Sequence, residues 1–320
     1  MKKSNTKIGL GLAALGRPEY INIREDESID KTEVAFKQNT LSVLDEAYTL
    51  GIRYFDTAPS YGKGEAFLQE WNDTRKHKDA VLGTKWGYTY VANWELGYSG
   101  KHEIKEHSLA KLQEQWEESK ALMPKLKYYQ VHSTTFESGI LENEAVLNQL
   151  HQIKKATGLK IGITTSGENQ KEVIESALSI KVENKSLFDS FQVTFNVFEQ
   201  DAFEILKTAL SQEKVIIIKE ALANGRVFIN EKFKHYKKAY QVLNQLAKKY
   251  QVGVDAIALR FVIDNLQPTY VLSGASNIIQ LKENMKALDF SFSENDILLL
   301  KSLKVSVKDY WEERSELSWN

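Results

Sequence analysis

The chain has 320 residues, 42% hydrophobic and 27% charged, with a formal net charge of −1. That balance gives ample apolar material for one large core and no bulk field to recruit nucleic acid or an acidic membrane. No apolar run is long enough to span a bilayer, and the absence of cysteine excludes disulfides, zinc–cysteine sites and cysteine nucleophiles.

The basic start gives way at Ile8 to Leu15 to an apolar stretch broken by Gly9 and Gly11. It reads as a first buried strand rather than a signal peptide, with the cytoplasm as the expected location. Gly9-x-Gly11 lacks the third glycine of a dinucleotide loop and no helix begins at once, so no Rossmann loop is assigned. The charged and aromatic loop from Arg17 to Glu33, with Tyr20 and Ile21, is expected to border a site. Val34 to Leu50 predicts an amphipathic helix, its stripe formed by Leu41, Leu44, Ala47 and Leu50, with Gly51 stopping it. A second strand, Ile52 to Phe55, ends on Asp56. Tyr61 follows on a loop that Pro59, Gly62 and Gly64 keep out of strand or helix. After a short helix, Glu65 to Trp71, a third strand, Ala80 to Thr84, closes on Lys85.

Trp86 to Lys105 is rich in Trp, Tyr and Gly. Its rings either pack on a rim or wall a substrate pocket, where they would suit the C–H faces of a sugar. A helix over Ser108 to Leu122 precedes a fourth strand, Tyr128 to Val131, which closes on His132. Helices over Glu142–Ala156, Gln170–Ile180 and Asp201–Leu210 then alternate with strands over Lys160–Ile163, Ser190–Thr194 and Val215–Ile218. After the irregular stretch from Ala221 to Tyr236 come helices over Ala239–Tyr250 and Asp255–Asp264, a strand over Thr269–Leu272 and a helix over Ile278–Ala287. The tail is expected to be helical to about Lys304. Its aromatics, Tyr310 and Trp311, either close over a pocket or seal the outside. Eight apolar strands alternating with helices predict a single (β/α)8 TIM barrel domain over residues 1–320 with long active-site loops; a doubly wound open sheet is the alternative.

Asp56, Lys85 and His132 thus end strands, and Tyr61 lies just past one. A carboxylate near a low-dielectric core needs a cation, and Lys85 is the candidate. A nearby ammonium favours phenolate, and a neutral imidazole can donate a hydrogen bond. Together the four make a proton donor for an oxygen that gains negative charge, as a carbonyl does on hydride reduction. The stretches Phe55-Asp56-Thr57-Ala58 with Tyr61-Gly62, Gly83-Thr84-Lys85 and Gln130-Val131-His132-Ser133 resemble those of the aldo-keto reductases. The resemblance covers nearly the whole chain and implies Asp56, Tyr61, Lys85 and His132 as the catalytic tetrad.

It also implies a nicotinamide dinucleotide, since side chains cannot deliver hydride. Ile161-Gly162-Ile163-Thr164-Thr165 resembles the family's Gly-Val-Ser-Asn segment, which puts Thr164 and Thr165 at the carboxamide with Gln192. After strand seven many members carry a stacking Tyr or Trp; Lys219 and Glu220 stand there instead. Lys219, Leu222, Asn224, Gly225 and Arg226 are the implied contacts in that run, with backbone N–H groups and Arg226 on the pyrophosphate. Ser276, Gln280, Glu283 and Asn284 resemble the adenosine-phosphate segment. The Lys and Arg that clamp a 2′-phosphate in many members are replaced by Gly274 and Gln280. NADP, held through Ser276 and Gln280, is the expected cofactor by family habit, with NAD open.

The expected partner is a small carbonyl or sugar substrate, with no metal, nucleic acid or membrane; the oligomeric state is open. Two other function classes are weighed: a slow, cofactor-binding regulatory protein on the same barrel, and a barrel hydrolase or lyase using Asp56 and glutamates. The last lacks a glutamate at the ends of strands two to four. His77, His102, His107, His151 and His235 are expected at the surface.

Overall fold

Short β-branched and aromatic runs pair side by side in the computed structural model, which describes residues 5–21, 23 and 30–319. The barrel strands are β1 (Lys7–Gly11), β2 (Tyr54–Asp56), β3 (Val81–Trp86), β4 (Leu126–Thr134), β5 (Lys160–Thr165), β6 (Ser190–Thr194), β7 (Val215–Lys219) and β8 (Tyr270–Ser273). Neighbours pair in parallel, and the first strand closes on the last from Lys7↔Tyr270 to Leu10↔Ser273. That closure makes a (β/α)8 barrel and excludes the open doubly wound sheet. Strand β1 ends earlier than expected because Leu12 N–H bonds Asp56 O at 2.8 Å and the chain then turns, Gly16 N–H bonding Leu12 O at 2.8 Å.

Side chains alternate across each strand. Phe55, Leu82, Ile161, Ile163, Phe191 and Ile216 join the core between barrel and helices, whereas Tyr54, Tyr128, Ile217 and Leu272 form a separate cluster that fills the barrel's interior. Tyr54 lies tilted against Tyr270, with ring centroids 4.4 Å apart, and meets Tyr128 edge-on at 5.3 Å. A Cβ at Gly9 would lie 2.8 Å from the Tyr54 ring, so the bare backbone there is what admits the ring. The Tyr54 hydroxyl then donates to Asp56 Oδ1 at 2.9 Å, and the interior packing supports the carboxylate at the mouth.

Two irregularities also shape the mouth. The β4–β5 register shifts between Val131 and Thr134, with Ser133 at φ 50°. A bulge of this kind re-aims a side chain, here at His132. The loop after β2 is pinned by Lys63 N–H to Gly16 O at 2.7 Å, which holds Tyr61 against the start of the chain.

The aromatic stretch after β3 is not wholly irregular: Tyr88–Tyr90 and Glu103–Lys105 form an antiparallel hairpin. Both readings of its rings are met, since Tyr88 lines the cavity described below while Trp94 packs edge-on against Phe36 at 5.4 Å. The tail carries helix α1 (Glu294–Lys301) and, beyond the expected limit, helix α2 (Val307–Ser315), which Ser306 caps through Asp309 N–H at 3.1 Å. Among the described residues no helix is long and apolar enough to cross a membrane.

Candidate active site

Three strand ends bring Asp56, Lys85 and His132 to one mouth, and the loop after β2 adds Tyr61. Lys85 Nζ donates to Asp56 Oδ2 at 2.5 Å and to Thr57 O at 2.8 Å; the lysine is fully buried and Asp56 is 1% exposed. Asp56 Oδ1 also accepts from Gln192 Nε2 at 2.9 Å. The ammonium lies 4.7 Å from the centre of the Tyr61 ring, and that ring meets His132 edge-on with 5.7 Å between centroids. Ser60 Oγ sits 3.3 Å from His132 Nδ1.

Burial, then the Asp56 carboxylate, pushes the Tyr61 phenol well above 10, with Arg17 opposing. The expectation that Lys85 acidifies the phenol is not what this geometry gives, because the ammonium is already balanced by Asp56 at 2.5 Å. Burial, with Lys85 and Lys219 behind it, holds His132 well below 6.5, so the imidazole is neutral. Burial likewise pulls Lys219 down to about 8. Burial alone would raise the Glu220 carboxyl, but Arg314 and Lys219 hold it well below the usual range. Arg314 reaches Glu220 Oε1 at 2.8 Å, and Glu220 has φ 54°, a left-handed conformation that costs a non-glycine residue about 1–3 kcal/mol.

A cavity of about 790 Å³ opens beside the tetrad, lined by Asp56, Tyr61 and His132 at one end and by Ser276, Gln280 and Asn284 at the other. Gln192, Lys219, Leu222, Asn224 and Gly225 line it between those ends. Thr164 and Thr165 do not. Thr164 Oγ1 accepts from Ser133 N–H at 2.8 Å. Thr165 shares the strand face of Ile161 and Ile163, which join the core toward the helices. The hydroxyls at the wall there belong to Ser133 and Ser166. Glu283 is also off the wall, paired to Lys286 at 2.7 Å.

Arg226 is turned away from the cavity. It is fully buried, donating to Tyr310 O and Glu313 Oε2, each at 3.1 Å, so it ties the loop after β7 to α2. Arg226→Met is expected to lower unfolding free energy by about 2 kcal/mol, read by chemical denaturation. An unchanged denaturation midpoint with weakened nicotinamide nucleotide binding would contradict this anchoring role.

Arg17, Tyr20, Glu103 and Trp319 also wall the tetrad end, and motif reading did not single out the last two. Arg17 Nη1 bonds Ser60 O at 2.9 Å and Glu103 Oε1 at 2.6 Å, and its guanidinium lies 4.6 Å over Trp319. Tyr310 and Trp311 are buried in the core and do not line the cavity; it is Arg314 and Trp319 of the tail that reach it.

The histidines divide as well. His235 is exposed and His77 half-buried, but His102 and His151 are buried, against expectation. His107 Nε2 lies 2.9 Å from His132 O, and burial, with Lys105, brings it down to about 4.

Comparison with known proteins follows the same line. The chain is 25% identical over 326 residues to the uncharacterized oxidoreductase YqkF of Bacillus subtilis, covering 93% of this chain and 92% of that one. A 62-residue stretch, 19% of each chain, is 42% identical to the NADP-dependent D-sorbitol-6-phosphate dehydrogenase of Malus domestica. The holo form of aldo-keto reductase AKR11C1 from Bacillus halodurans superposes with a TM-score of 0.69 at 19% identity, covering 93% of this chain and 91% of that one; at that identity the likeness speaks to the fold. The aldo/keto reductase family model matches residues 7–304, and with a closed parallel barrel carrying Asp56, Tyr61, Lys85 and His132 at its mouth, the chain belongs to the aldo/keto reductase family.

Proposed function

We propose that this oxidoreductase moves hydride reversibly between a nicotinamide dinucleotide and the carbonyl of an aldehyde, ketone or sugar, with Tyr61 giving the proton in reduction and taking it back in oxidation. The observation that carries this reading is the convergence of a buried phenol, a neutral imidazole and a carboxylate-held ammonium beside one cavity.

The cavity residues fit the cofactor. A volume of about 790 Å³ lies within the roughly 300–1,000 Å³ range of small-molecule sites. Asn224 Oδ1 is buried on its wall without a partner among the described residues, and Phe228 and Ile229 line it while 43% and 66% exposed. An orphaned acceptor and uncovered apolar side chains on one wall are what a bound nucleotide would satisfy. When bound, the dihydronicotinamide supplies the hydride. Lys219, Leu222, Asn224 and Gly225 would hold the middle of the molecule, and Ser276, Gln280 and Asn284 the adenosine end. Gln192 would bridge the ring to Asp56.

The chain's own groups handle the oxygen. With the Ser60 hydroxyl donating to His132 Nδ1, the imidazole proton stays on Nε2 and is free to orient the substrate carbonyl. As that oxygen gains charge, the Tyr61 Oη–H bond breaks and the proton moves to it. The Lys85 ammonium, 4.7 Å from the ring and held in place by Asp56, is the group that faces the phenolate left behind and offsets part of the repulsion from Asp56. In reverse, phenolate takes the alcohol proton.

The pH dependence follows. Reduction needs the phenol protonated and the imidazole neutral, and burial holds both so. Its rate is expected to be flat across the neutral range. Alcohol oxidation needs phenolate, and because burial and Asp56 hold the Tyr61 phenol well above its ordinary value, the rate is expected to go on climbing with pH through the alkaline range without levelling near about 10. A panel of carbonyls with reduced cofactor, and of sugars and alcohols with oxidised cofactor, tests both the activity and the profile. Absence of nicotinamide turnover across the panel, or oxidation that falls as pH rises, would overturn the reading.

A further inference from the structure

The far end of the cavity differs in charge from the tetrad end. Its wall there is Ser273, Ser276, Gln280, Asn284 and Asp255, with no lysine or arginine among the described lining residues. The helix Ile278–Met285 and the Lys286 that caps it do carry cations, but they are spoken for: Lys282 pairs with Glu46 at 3.0 Å and Lys286 with Glu283 at 2.7 Å, and neither lines the cavity. The cationic side chains that do line it keep company with the tetrad or with Glu220. Arg17 lies 5.4 Å over the Tyr61 ring, Arg314 is paired to Glu220, and Lys219 shares its surroundings with Lys85 and Asp56.

Asp255 is built into the far wall. The Asn284 amide, in the orientation that satisfies both its ends, donates to Asp255 Oδ2 at 2.9 Å and accepts from Ser273 Oγ at 2.8 Å. Gln280 Oε1 is used within the protein, accepting from Ser276 N–H at 3.0 Å and Ser276 Oγ at 3.1 Å. The groups left to a ligand there are a carboxylate and neutral amides and hydroxyls. A ribose 2′-hydroxyl donates well to a carboxylate. A 2′-phosphate in the same place brings near-dianionic charge against Asp255 with no cation among the described lining residues to receive it; Lys286, which faces Asp255, is paired to Glu283.

We propose that this chain selects NAD(H) over NADP(H), and that Asp255, with Gln280 in place of a cation, determines that selectivity at the adenosine ribose. This rests on the proposed dinucleotide reading of the cavity, and it reverses the family-habit expectation of NADP. The NADP-dependent Malus domestica relative matches only 19% of the chain and does not weigh against it.

Equilibrium titration of the full-length protein with NADH and with NADPH, read by nucleotide fluorescence, tests it without turnover. NADH is expected to bind at least about tenfold more tightly. Asp255→Asn and, separately, Gln280→Arg are each expected to shift the NADPH-to-NADH affinity ratio toward NADPH by about tenfold. Gln280 is exposed, so that variant keeps the test independent of any folding defect at Asp255. Equal or tighter NADPH binding by the wild type, or a ratio unmoved by both variants, would overturn the selectivity while leaving the oxidoreductase reading intact. Binding of neither nucleotide would overturn the dinucleotide reading and the selectivity with it.

Discussion

Tyr61→Phe is expected to lower kcat for carbonyl reduction by roughly 10²–10⁴-fold, the range that a positioned proton donor contributes, while leaving reduced-cofactor affinity near the wild-type value. The substitution removes one oxygen and keeps the ring, which is 8% exposed and packed edge-on against His132, so the fold has no reason to change. Burial and Asp56 keep that oxygen protonated, making it the group ready to give a proton where hydride transfer leaves negative charge. His132, held neutral by burial, can orient the same oxygen but is a poor substitute donor. Steady-state turnover beside a nucleotide titration separates the two effects. Wild-type kcat in a purified, folded Tyr61→Phe would remove Tyr61 from the mechanism.

Lys85→Met is expected to abolish measurable turnover and to cost about 3–5 kcal/mol of stability, the usual penalty for stranding a buried charge. Lys85 has no exposed surface, and its ammonium bonds Asp56 Oδ2 and Thr57 O. Without it, Asp56 keeps only the neutral donors Tyr54 and Gln192. Asp56→Asn combined with Lys85→Met removes both charges and is expected to regain a large part of the lost stability without regaining activity. Chemical denaturation of the single and double variants measures the first statement and turnover the second. If the double variant were as unstable as the sum of the singles, the two residues would not act as a pair; if Lys85→Met kept its turnover, the ammonium would have no part in the proton transfer.

Much of this was legible in the residues because strand ends declare themselves. Asp56, Lys85 and His132 each terminate a short apolar run, and a parallel barrel gathers such ends at one mouth. Side-chain parity was also there to be read: Ile161, Ile163 and Thr165 stand two apart and share a face, which directs Thr165 to the outer layer. Helix α2 had a local signal in Ser306 three residues before Asp309. What was not legible depends on segments far apart in sequence. Arg226 reads as a pyrophosphate contact until α2 folds over it and supplies Glu313 and the Tyr310 carbonyl. Asp255 opens a helix and has no motif of its own; it lines the cavity beside Asn284, which bonds it from a later helix. Trp319 and His102 come together as stacked rings 4.3 Å apart across more than half the chain, a pairing that no local pattern encodes.

Transfer of label is the most direct measurement. Reduced cofactor carrying deuterium at the transferable ring position, incubated with the protein and a panel of aldehydes, ketones and sugars, should yield alcohol bearing deuterium on the former carbonyl carbon, and Tyr61→Phe should yield almost none. Alcohol formed without deuterium, or formed with no nicotinamide nucleotide present, would contradict hydride transfer at this site.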